Sequence, residues 1–265
     1  MRPWVVATIV RREAMEIVRN RLLVFSIVLP PVLLVAMPLI IGHFAGSGGR
    51  GNMPDSYIAS LLASRPEWAD LTRTQLIAAF TLQQFLAIFL IMPAYVPLSI
   101  ATFSIVGEKQ TRSLEAVLAT PIRTEELLAG KTIAAVVPGV VTSWLAYAVL
   151  IVLGAVTLGP ELARVLADGS WLAAVFLLGP VIGLLSCVAG IIVSSRVNDP
   201  RVAQQIGGVV ILPVVGIAMV QAVGGYLLGP REYAIAAVVL GAVGVAGIWL
   251  AVRLFDRETI LTRWR

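Results

Sequence analysis

Six long apolar runs that lack Asp, Glu, Lys and Arg constrain this chain more than any other feature of its sequence. They cover residues 22–42, 77–106, 132–156, 171–193, 204–228 and 234–252. One such charge at the centre of a membrane helix costs about 2.5 to 3.5 kcal/mol, and roughly 20 apolar residues suffice to cross the hydrocarbon layer. The sequence therefore predicts an all-α, polytopic membrane protein with six transmembrane helices in one domain, residues 1–265.

The composition agrees with a membrane environment and argues against several functions. Only 13% of the residues are charged, whereas soluble domains have about 25%. One cysteine, Cys187, and one histidine, His43, cannot form an internal disulfide framework or a Cys/His metal site. The formal charge of +5 comes from basic residues that flank the apolar runs, a distribution that favours membrane orientation over nucleic-acid binding.

The distribution of Lys and Arg predicts the orientation in the membrane. With the N-terminus inside, the inner segments hold fifteen of the twenty basic residues: Arg2, Arg11, Arg12, Arg19, Arg21, Lys109, Arg112, Arg123, Lys131, Arg196, Arg201, Arg253, Arg257, Arg263 and Arg265. The outer segments hold the other five: Arg50, Arg65, Arg73, Arg164 and Arg231. Because cytoplasmic loops carry an excess of positive charge, both termini are expected in the cytoplasm.

Local motifs predict where several helices begin. A basic, amphipathic helix is expected before the first apolar run. The long outer loop, residues 43–76, ends in Thr72-Arg73-Thr74-Gln75, which matches the capping box of a helix start. Asp199-Pro200 offers an N-cap followed by proline at the first helical position.

Polar and small side chains inside the runs are candidates for a translocation path. The most polar ones are glutamines, which can bind a substrate or instead meet water and headgroups near the membrane surface: Gln83, Gln84, Gln204, Gln205 and Gln221. Small residues recur at helical spacing in the fourth run and favour close helix packing over a lining role: Gly179, Gly183, Ser186 and Gly190. No buried carboxylate, lysine or histidine is available in the runs to carry protons.

The loop of residues 107–131, between the second and third runs, has an amphipathic pattern. Its apolar residues fall on one helical face: Leu114, Val117, Leu118 and Pro121. Its charged residues fall on another: Glu108, Arg112 and Glu115. The pattern predicts a short helix along the inner membrane surface, followed by Lys131 as an interfacial anchor for the third span.

This loop resembles that of type-2 permease subunits of ATP-binding cassette (ABC) exporters, which reads Glu-basic-x-x-Gly-Thr-Leu-Glu-x-Leu-Leu-x-Thr-Pro and then Gly-Lys. The matching positions are Glu108, Leu114, Glu115, Leu118, Thr120, Pro121, Gly130 and Lys131. The chain departs from the pattern at Arg112, where Gly is common, and at Ser113, where Thr is common. The six-span layout, the basic N-terminal helix and the Phe255-Asp256-Arg257-Glu258 tail extend the resemblance over the whole chain.

The resemblance implies that transport and ATP binding reside on different subunits. The segment 108–121 would be a coupling helix that docks on a separate nucleotide-binding subunit, and two permeases would form the path in the plasma membrane. The docking residues would be Glu108, Arg112, Leu114, Glu115, Leu118, Thr120 and Pro121. ATP and Mg would bind the partner, and this chain would bind no cofactor.

Two other classes of function compete with a permease. A membrane-embedded enzyme, such as a lipid-modifying transferase, lacks candidate groups because the runs contain no Asp, Glu or His. A channel or scaffold without ATP coupling gives no reason for the amphipathic loop but remains an alternative. Gly130-Lys131-Thr132 does not make a phosphate-binding loop, since Glu125 stands where that motif requires glycine.

Overall fold

The computed structural model describes residues 2–46, 53–111, 122–224 and 227–254. Within these ranges the regular structure is helical, with no strand. The helices are α1 (Pro3–Arg19), α2 (Arg21–Gly46), α3 (Asp55–Ser64), α4 (Arg73–Phe89), α5 (Ile91–Gln110), α6 (Thr124–Thr157), α7 (Pro160–Leu166), α8 (Gly169–Leu172), α9 (Gly179–Arg196), α10 (Pro200–Gly207), α11 (Leu212–Gly224) and α12 (Pro230–Leu254). The prediction of an all-α membrane protein is confirmed at this level.

Five helical stretches of the described residues are long and apolar enough to cross a membrane. They are Leu23–Phe44, Arg73–Gln110, Thr124–Thr157, Pro160–Arg196 and Pro230–Ile248. Each contains one of the predicted runs or most of it. The chain is therefore a multi-pass membrane protein.

The remaining predicted run, 204–228, is not a single long helix in the described residues. α10 passes into a 3₁₀ turn at Gly208–Ile211, and α11 follows. Pro213 has no N–H to donate to the carbonyl of Val209, so the α-helical hydrogen bonding is incomplete at this point. The sixth span stays a prediction.

Prolines also interrupt two stretches that the sequence suggested to be continuous. α4 and α5 are separate helices on either side of Leu90, since Pro93 cannot donate to the carbonyl of Phe89. Residues Ala173–Leu178 form a π-helical segment ahead of α9, and Pro180 leaves the Phe176 carbonyl without its usual donor. The indole of Trp144 donates to one carbonyl of this segment, that of Val175, at 3.3 Å.

α5 lies at the centre of the bundle, and glycines of its neighbours allow the close approach. A Cβ at Gly139 of α6 would lie 2.6 Å from Pro97 Cγ, and one at Gly183 of α9 would lie 3.0 Å from the Pro93 carbonyl oxygen. Gly190 lies further along α9, and a Cβ there would lie 3.2 Å from Leu98 Cδ1. The small residues of the fourth run thus pack against α5.

The outward faces of the helices are apolar. Phe25 of α2, Leu145 of α6 and Val238 of α12 are 61%, 63% and 74% exposed. Exposed apolar surface of this extent is unfavourable in water, whereas in a bilayer it contacts lipid chains.

The two ends of the bundle carry different polar contacts. We call the end that bears α1 and both flanks of residues 112–121 the loop end. The opposite end, which bears α3 and the 3₁₀ turn Pro66–Trp68, is the segment end. The stretch α4–α5 runs from the segment end to the loop end.

Candidate functional site

The predicted docking residues lie mostly outside the described residues. Only Glu108 is described, while six others are not: Arg112, Leu114, Glu115, Leu118, Thr120 and Pro121. The structure does describe both flanks, residues 107–111 and 122–131. These flanks show how the predicted coupling helix is attached to the bundle.

A buried group of charges, the loop-end cluster, joins α1 to both flanks. It consists of Arg12, Glu13, Ser104, Glu108 and Lys131. Lys131 Nζ lies 2.7 Å from Glu13 Oε1 and 2.9 Å from Glu108 Oε2, and it donates to Ser104 Oγ at 2.6 Å. The Ser104 hydroxyl donates to Glu13 Oε2 at 2.7 Å, and Arg12 Nη2 lies 3.3 Å from Glu108 Oε1.

Burial makes the pairing of these charges essential. Glu13, Glu108 and Lys131 are 3%, 4% and 3% exposed. An ionised side chain removed from water is stable only with counter-charges and hydrogen bonds around it. Glu108 therefore contacts cations of its own chain in this structure. The interpretation of Lys131 as an interfacial anchor was wrong, because its ammonium group points into the bundle and binds two carboxylates.

A second contact fixes the start of α6 to the start of α1. Arg2 Nη2 and Nε donate to the two carboxylate oxygens of Glu126 at 2.8 and 3.1 Å, and the Arg2 backbone N–H adds a third bond at 2.8 Å. The Arg123 backbone N–H also donates to Glu126, at 3.1 Å. Hydrogen bonding to this carboxylate raises the pKa of Arg2 further above its ordinary value. The shift favours the charged form that arginine already has at physiological pH.

The other flank of the loop is attached to the end of α9. Lys109 Nζ donates to the backbone carbonyls of Ser195 and Val197 at 2.8 and 3.2 Å, and also to that of Ser194. These are the carbonyls that a helix C-terminus leaves without partners, and a cation there also interacts favourably with the helix dipole. Gln110 Nε2 donates to the Asn198 carbonyl at 3.2 Å.

A cavity of 230 Å³ lies beside the loop-end cluster, between α1 and α5. Polar side chains line one part of it, among them Glu16, Asn20 and Thr111, and apolar ones such as Phe103 line another. The cavity leaves room for side chains to rearrange next to the buried charges.

The candidate path glutamines fall in two groups. Gln84 Nε2 of α4 donates to the Gln221 carbonyl of α11 at 3.2 Å, so the structure brings these two together. Gln204 and Gln205 lie instead in α10, and Gln205 is exposed. Gln83 is fully buried, and its amide has no hydrogen-bond partner among the described residues. A path role for these residues stays a prediction.

The segment end has a buried charge network that sequence reasoning missed. Arg65 Nη1 donates to Asp168 Oδ2 at 2.8 Å, and Nη2 donates to Ser170 Oγ at 2.7 Å and to the Leu228 carbonyl at 3.0 Å. Asp168 in turn accepts from the backbone N–H groups of Gly169 and Ser170 and caps α8. One arginine thus fastens the 53–72 segment to two other parts of the chain.

Glu13 was also missed by sequence reasoning, although its position gave a signal. It stands four residues after Ile9 and four before Ile17, so it shares their helical face. Ile9 packs against Gly130, where an added Cβ would lie 2.6 Å from Ile9 Cγ2. A single carboxylate on the apolar face of a basic helix predicts a buried partner, although not which one.

The family model described as "ABC-2 family transporter protein" matches residues 69–230, which include α4 to α11 and residues 112–121. No curated protein matches the chain.

Proposed function

We propose, from the fact that this chain belongs to the ABC-2 family of transporter proteins, that it is the permease half of an ATP-driven exporter. Members of this family are transport permeases and are not themselves catalytic. ATP and Mg would bind a separate ATPase subunit. In this proposal residues 108–121 form the coupling helix that docks on that subunit.

The observation that supports coupling is the attachment of both flanks of residues 112–121. On one side Glu108 and Lys109 join the loop to α1, α6 and the end of α9. On the other side Glu126 and Lys131 join it to α1 and α5. A surface loop attached in this way passes a displacement to the membrane helices instead of absorbing it by bending.

The arrangement of the membrane part is also proposed from the family. Two copies would pair and enclose the path, which would lie in the plasma membrane with the loop end in the cytoplasm. The buried glutamines Gln83 and Gln221 and the partly buried Gln84 are candidates to line it, because polar side chains inside a span tend to face the bundle interior or a water-filled cavity.

The coupling helix is tested with Leu114→Asp. If Leu114 and Leu118 anchor the helix in a groove of the ATPase, the new carboxylate would be buried without a partner and would cost several kcal/mol, roughly a thousandfold or more in affinity. The ATPase that copurifies with the tagged wild-type chain is identified by photolabelling with azido-ATP. The expected result is normal insertion of the variant and loss of this ATPase.

Arg164→Ala is the matched control. Arg164 lies in α7 with a side chain 77% exposed and pairs only with nearby Glu161 among the described residues. Exposed pairs of this kind contribute about 0 to 1 kcal/mol, so ATPase binding should be unchanged. If Leu114→Asp retains the ATPase fully, the helix merely rests on lipid headgroups and the coupling assignment fails.

Pairing of two copies is tested by cross-linking in native membranes. A product of twice the mass of the chain, formed at low cross-linker concentration, is expected. Monomer alone, under conditions that cross-link the ATPase to the chain, would rule out the paired path.

A further inference from the structure

We propose that the cavity between α1 and α5, here called the loop-end cavity, binds a primary ammonium group that carries an apolar chain. The group belongs either to a lipid headgroup or to a small amphiphilic amine, which present the same chemistry. Binding takes place on this chain alone, so the proposal goes beyond the proposed function and does not rest on it.

The charged side chains that line the loop-end cavity are mainly acidic. Among the described residues they are Arg12, Glu13, Glu16 and Glu108. Arg12 is shared between Glu16 at 3.0 Å and Glu108 at 3.3 Å, and Lys131 binds Glu13 and Glu108. Three described carboxylates thus interact with two described cations, so the cavity favours a positively charged ligand over a negatively charged one.

The exposed part of the lining offers hydrogen-bond acceptors. Glu16 has a side chain 48% exposed, and Asn20 and Thr111 are exposed. Asn20 Oδ1 accepts from the Leu23 N–H at 3.2 Å, which orients its amide, and an amide oxygen has a second lone pair. A primary ammonium has three N–H donors for carboxylate, amide and hydroxyl oxygens, whereas a quaternary ammonium has none.

The rest of the lining is apolar and belongs to the membrane-crossing stretches. Leu23 begins the first stretch, and Ile100 and Phe103 lie within the second, whereas Glu16 and Asn20 precede the first. An ammonium at the polar part therefore directs its attached chain along the apolar part, where the Phe103 ring adds a cation–π contribution. The volume of 230 Å³ is below the roughly 300 to 1,000 Å³ of sites for drug-sized ligands. It holds a headgroup or a short chain, not a whole lipid.

Photolabelling tests the preference for an ammonium group. The chain is purified in nanodiscs of phosphatidylcholine and labelled with a decylamine that carries a diazirine, or with the matching decanoate. Labelled peptides are mapped by mass spectrometry and normalised to labelling at Leu145, which is 63% exposed on the helix exterior. Because a charge-assisted hydrogen bond strengthens binding, the amine should label Ile17 or Phe103 at least about tenfold more than the carboxylate does. Equal labelling by the two probes would overturn the proposal.

Glu16→Gln tests the carboxylate that contributes to the exposed part of the site. The variant should lower labelling by the amine about fivefold, since it removes one charge from the lining. Glu161→Gln is the matched control, because Glu161 also pairs with an arginine of its own helix and has a side chain 44% exposed. Equal labelling of the two variants would show that the amine does not bind beside Glu16.

Gly107→Leu tests the cavity sterically. Gly107 lines the cavity, and a Cβ added there would meet no atom within 4 Å, so a larger side chain occupies empty space without a clash. The variant should unfold at the wild-type temperature but lose the labelling of Ile17 and Phe103. Gly216→Leu, at another position with open space around its Cβ, should label as the wild type does. Undiminished labelling of Gly107→Leu would place the probe outside the cavity and overturn the proposal.

Competition identifies the source of the ammonium group. Replacement of phosphatidylcholine by phosphatidylethanolamine in the nanodiscs should suppress labelling if the ligand is a lipid headgroup. Suppression by dissolved hexylamine alone would identify a small amphiphilic amine. Phosphatidylglycerol has no ammonium group, and suppression by this lipid as strong as that by phosphatidylethanolamine or hexylamine would overturn the assignment of an ammonium site.

Discussion

The burial of Arg65 could not be predicted from the residues around it in the sequence. It lies between α3 and the 3₁₀ turn, in a segment expected outside the membrane, yet it is 6% exposed. Its partners Asp168, Ser170 and Leu228 are more than 100 residues away in the chain. Only the folded structure brings these groups together around one guanidinium, with the Trp68 ring 5.9 Å from its central carbon.

Arg65→Met should destabilise the protein strongly. The substitution keeps much of the side-chain volume but removes the cation from Asp168, the Ser170 hydroxyl and the Leu228 carbonyl. Loss of one partner of a buried pair costs about 3 to 5 kcal/mol, so the thermal unfolding temperature in detergent should fall by several degrees. Arg73→Met is the matched control, because Arg73 and its partner Asp55 have side chains 51% and 87% exposed and such pairs contribute about 0 to 1 kcal/mol. Equal effects of the two substitutions would contradict a structural role for the Arg65 network.

Gly139→Ala should also be destabilising, for a steric reason. The new Cβ would lie 2.6 Å from Cγ of Pro97, a ring that cannot turn away. Overpacking of this kind costs about 1 to 3 kcal/mol. Gly216→Ala has open space around its Cβ and gains helix propensity, so it should be neutral or slightly stabilising. The comparison is made by thermal unfolding of both variants, and an unchanged Gly139→Ala protein would show that α5 and α6 separate easily.

At the scale of elements, the helix starts governed by local chemistry were predicted correctly. Thr72 and Gln75 form the expected capping box, and Asp199 accepts from the N–H groups of Arg201 and Val202 ahead of α10. The residues of each cap lie within four positions of one another, so the local sequence contains all of the information needed to place these two helix starts. Hydrophobic length likewise predicted six spans, and for five of them the described residues form a helical stretch long and apolar enough to cross a membrane, because the bilayer imposes this length directly.

Other features could not be predicted because their causes are not local. Apolar composition does not distinguish one helix from two, and so the break at Leu90 and the π segment were not anticipated. Lys131 was interpreted as a surface anchor, since its partner Glu13 is 118 residues away and no local pattern links them. The candidate site at residues 107–131 stays a prediction of the sequence, while the attachment of its described flanks to α1 required the structure.

Thr72→Ala should loosen the beginning of α4. It removes the hydroxyl that accepts from the Gln75 N–H at 3.4 Å and leaves the Gln75 side chain without its hydroxyl partner at 2.9 Å. Loss of an N-cap typically costs about 1 kcal/mol. Faster hydrogen exchange at the first-turn amides of α4 is the expected observation. Thr72→Ser keeps the hydroxyl and should exchange as the wild type does; if the alanine variant matches it, the capping box does not stabilise this helix.

At the scale of the whole molecule, polar contacts are concentrated at the two ends of an apolar bundle. The loop-end cluster and Lys109 lie at one end, and Arg65 with Asp168 lies at the other. Between them the helix exteriors are apolar, as shown by Phe25, Leu145 and Val238. This arrangement suits a lipid bilayer around the apolar middle zone, with the charged ends at its two aqueous surfaces.

The fifteen-to-five division of basic residues predicts which end faces the cytoplasm. The loop end carries the larger share, so a reporter fused after Arg265 should be active in the cytoplasm and one inserted at Gly48 should be active outside. A third reporter after Arg164, which lies in α7 beyond the far end of α6, should agree with the one at Gly48. Activity is compared between a reporter that folds only in the cytoplasm and one that folds only outside it, at each of the three positions. If the fusions at Gly48 and Arg265 report the same side, an even number of crossings lies between them in place of the five that six spans require. The six-span arrangement would then be wrong, and the broken stretch α10–α11 would be the first candidate for a segment that enters the membrane without crossing it.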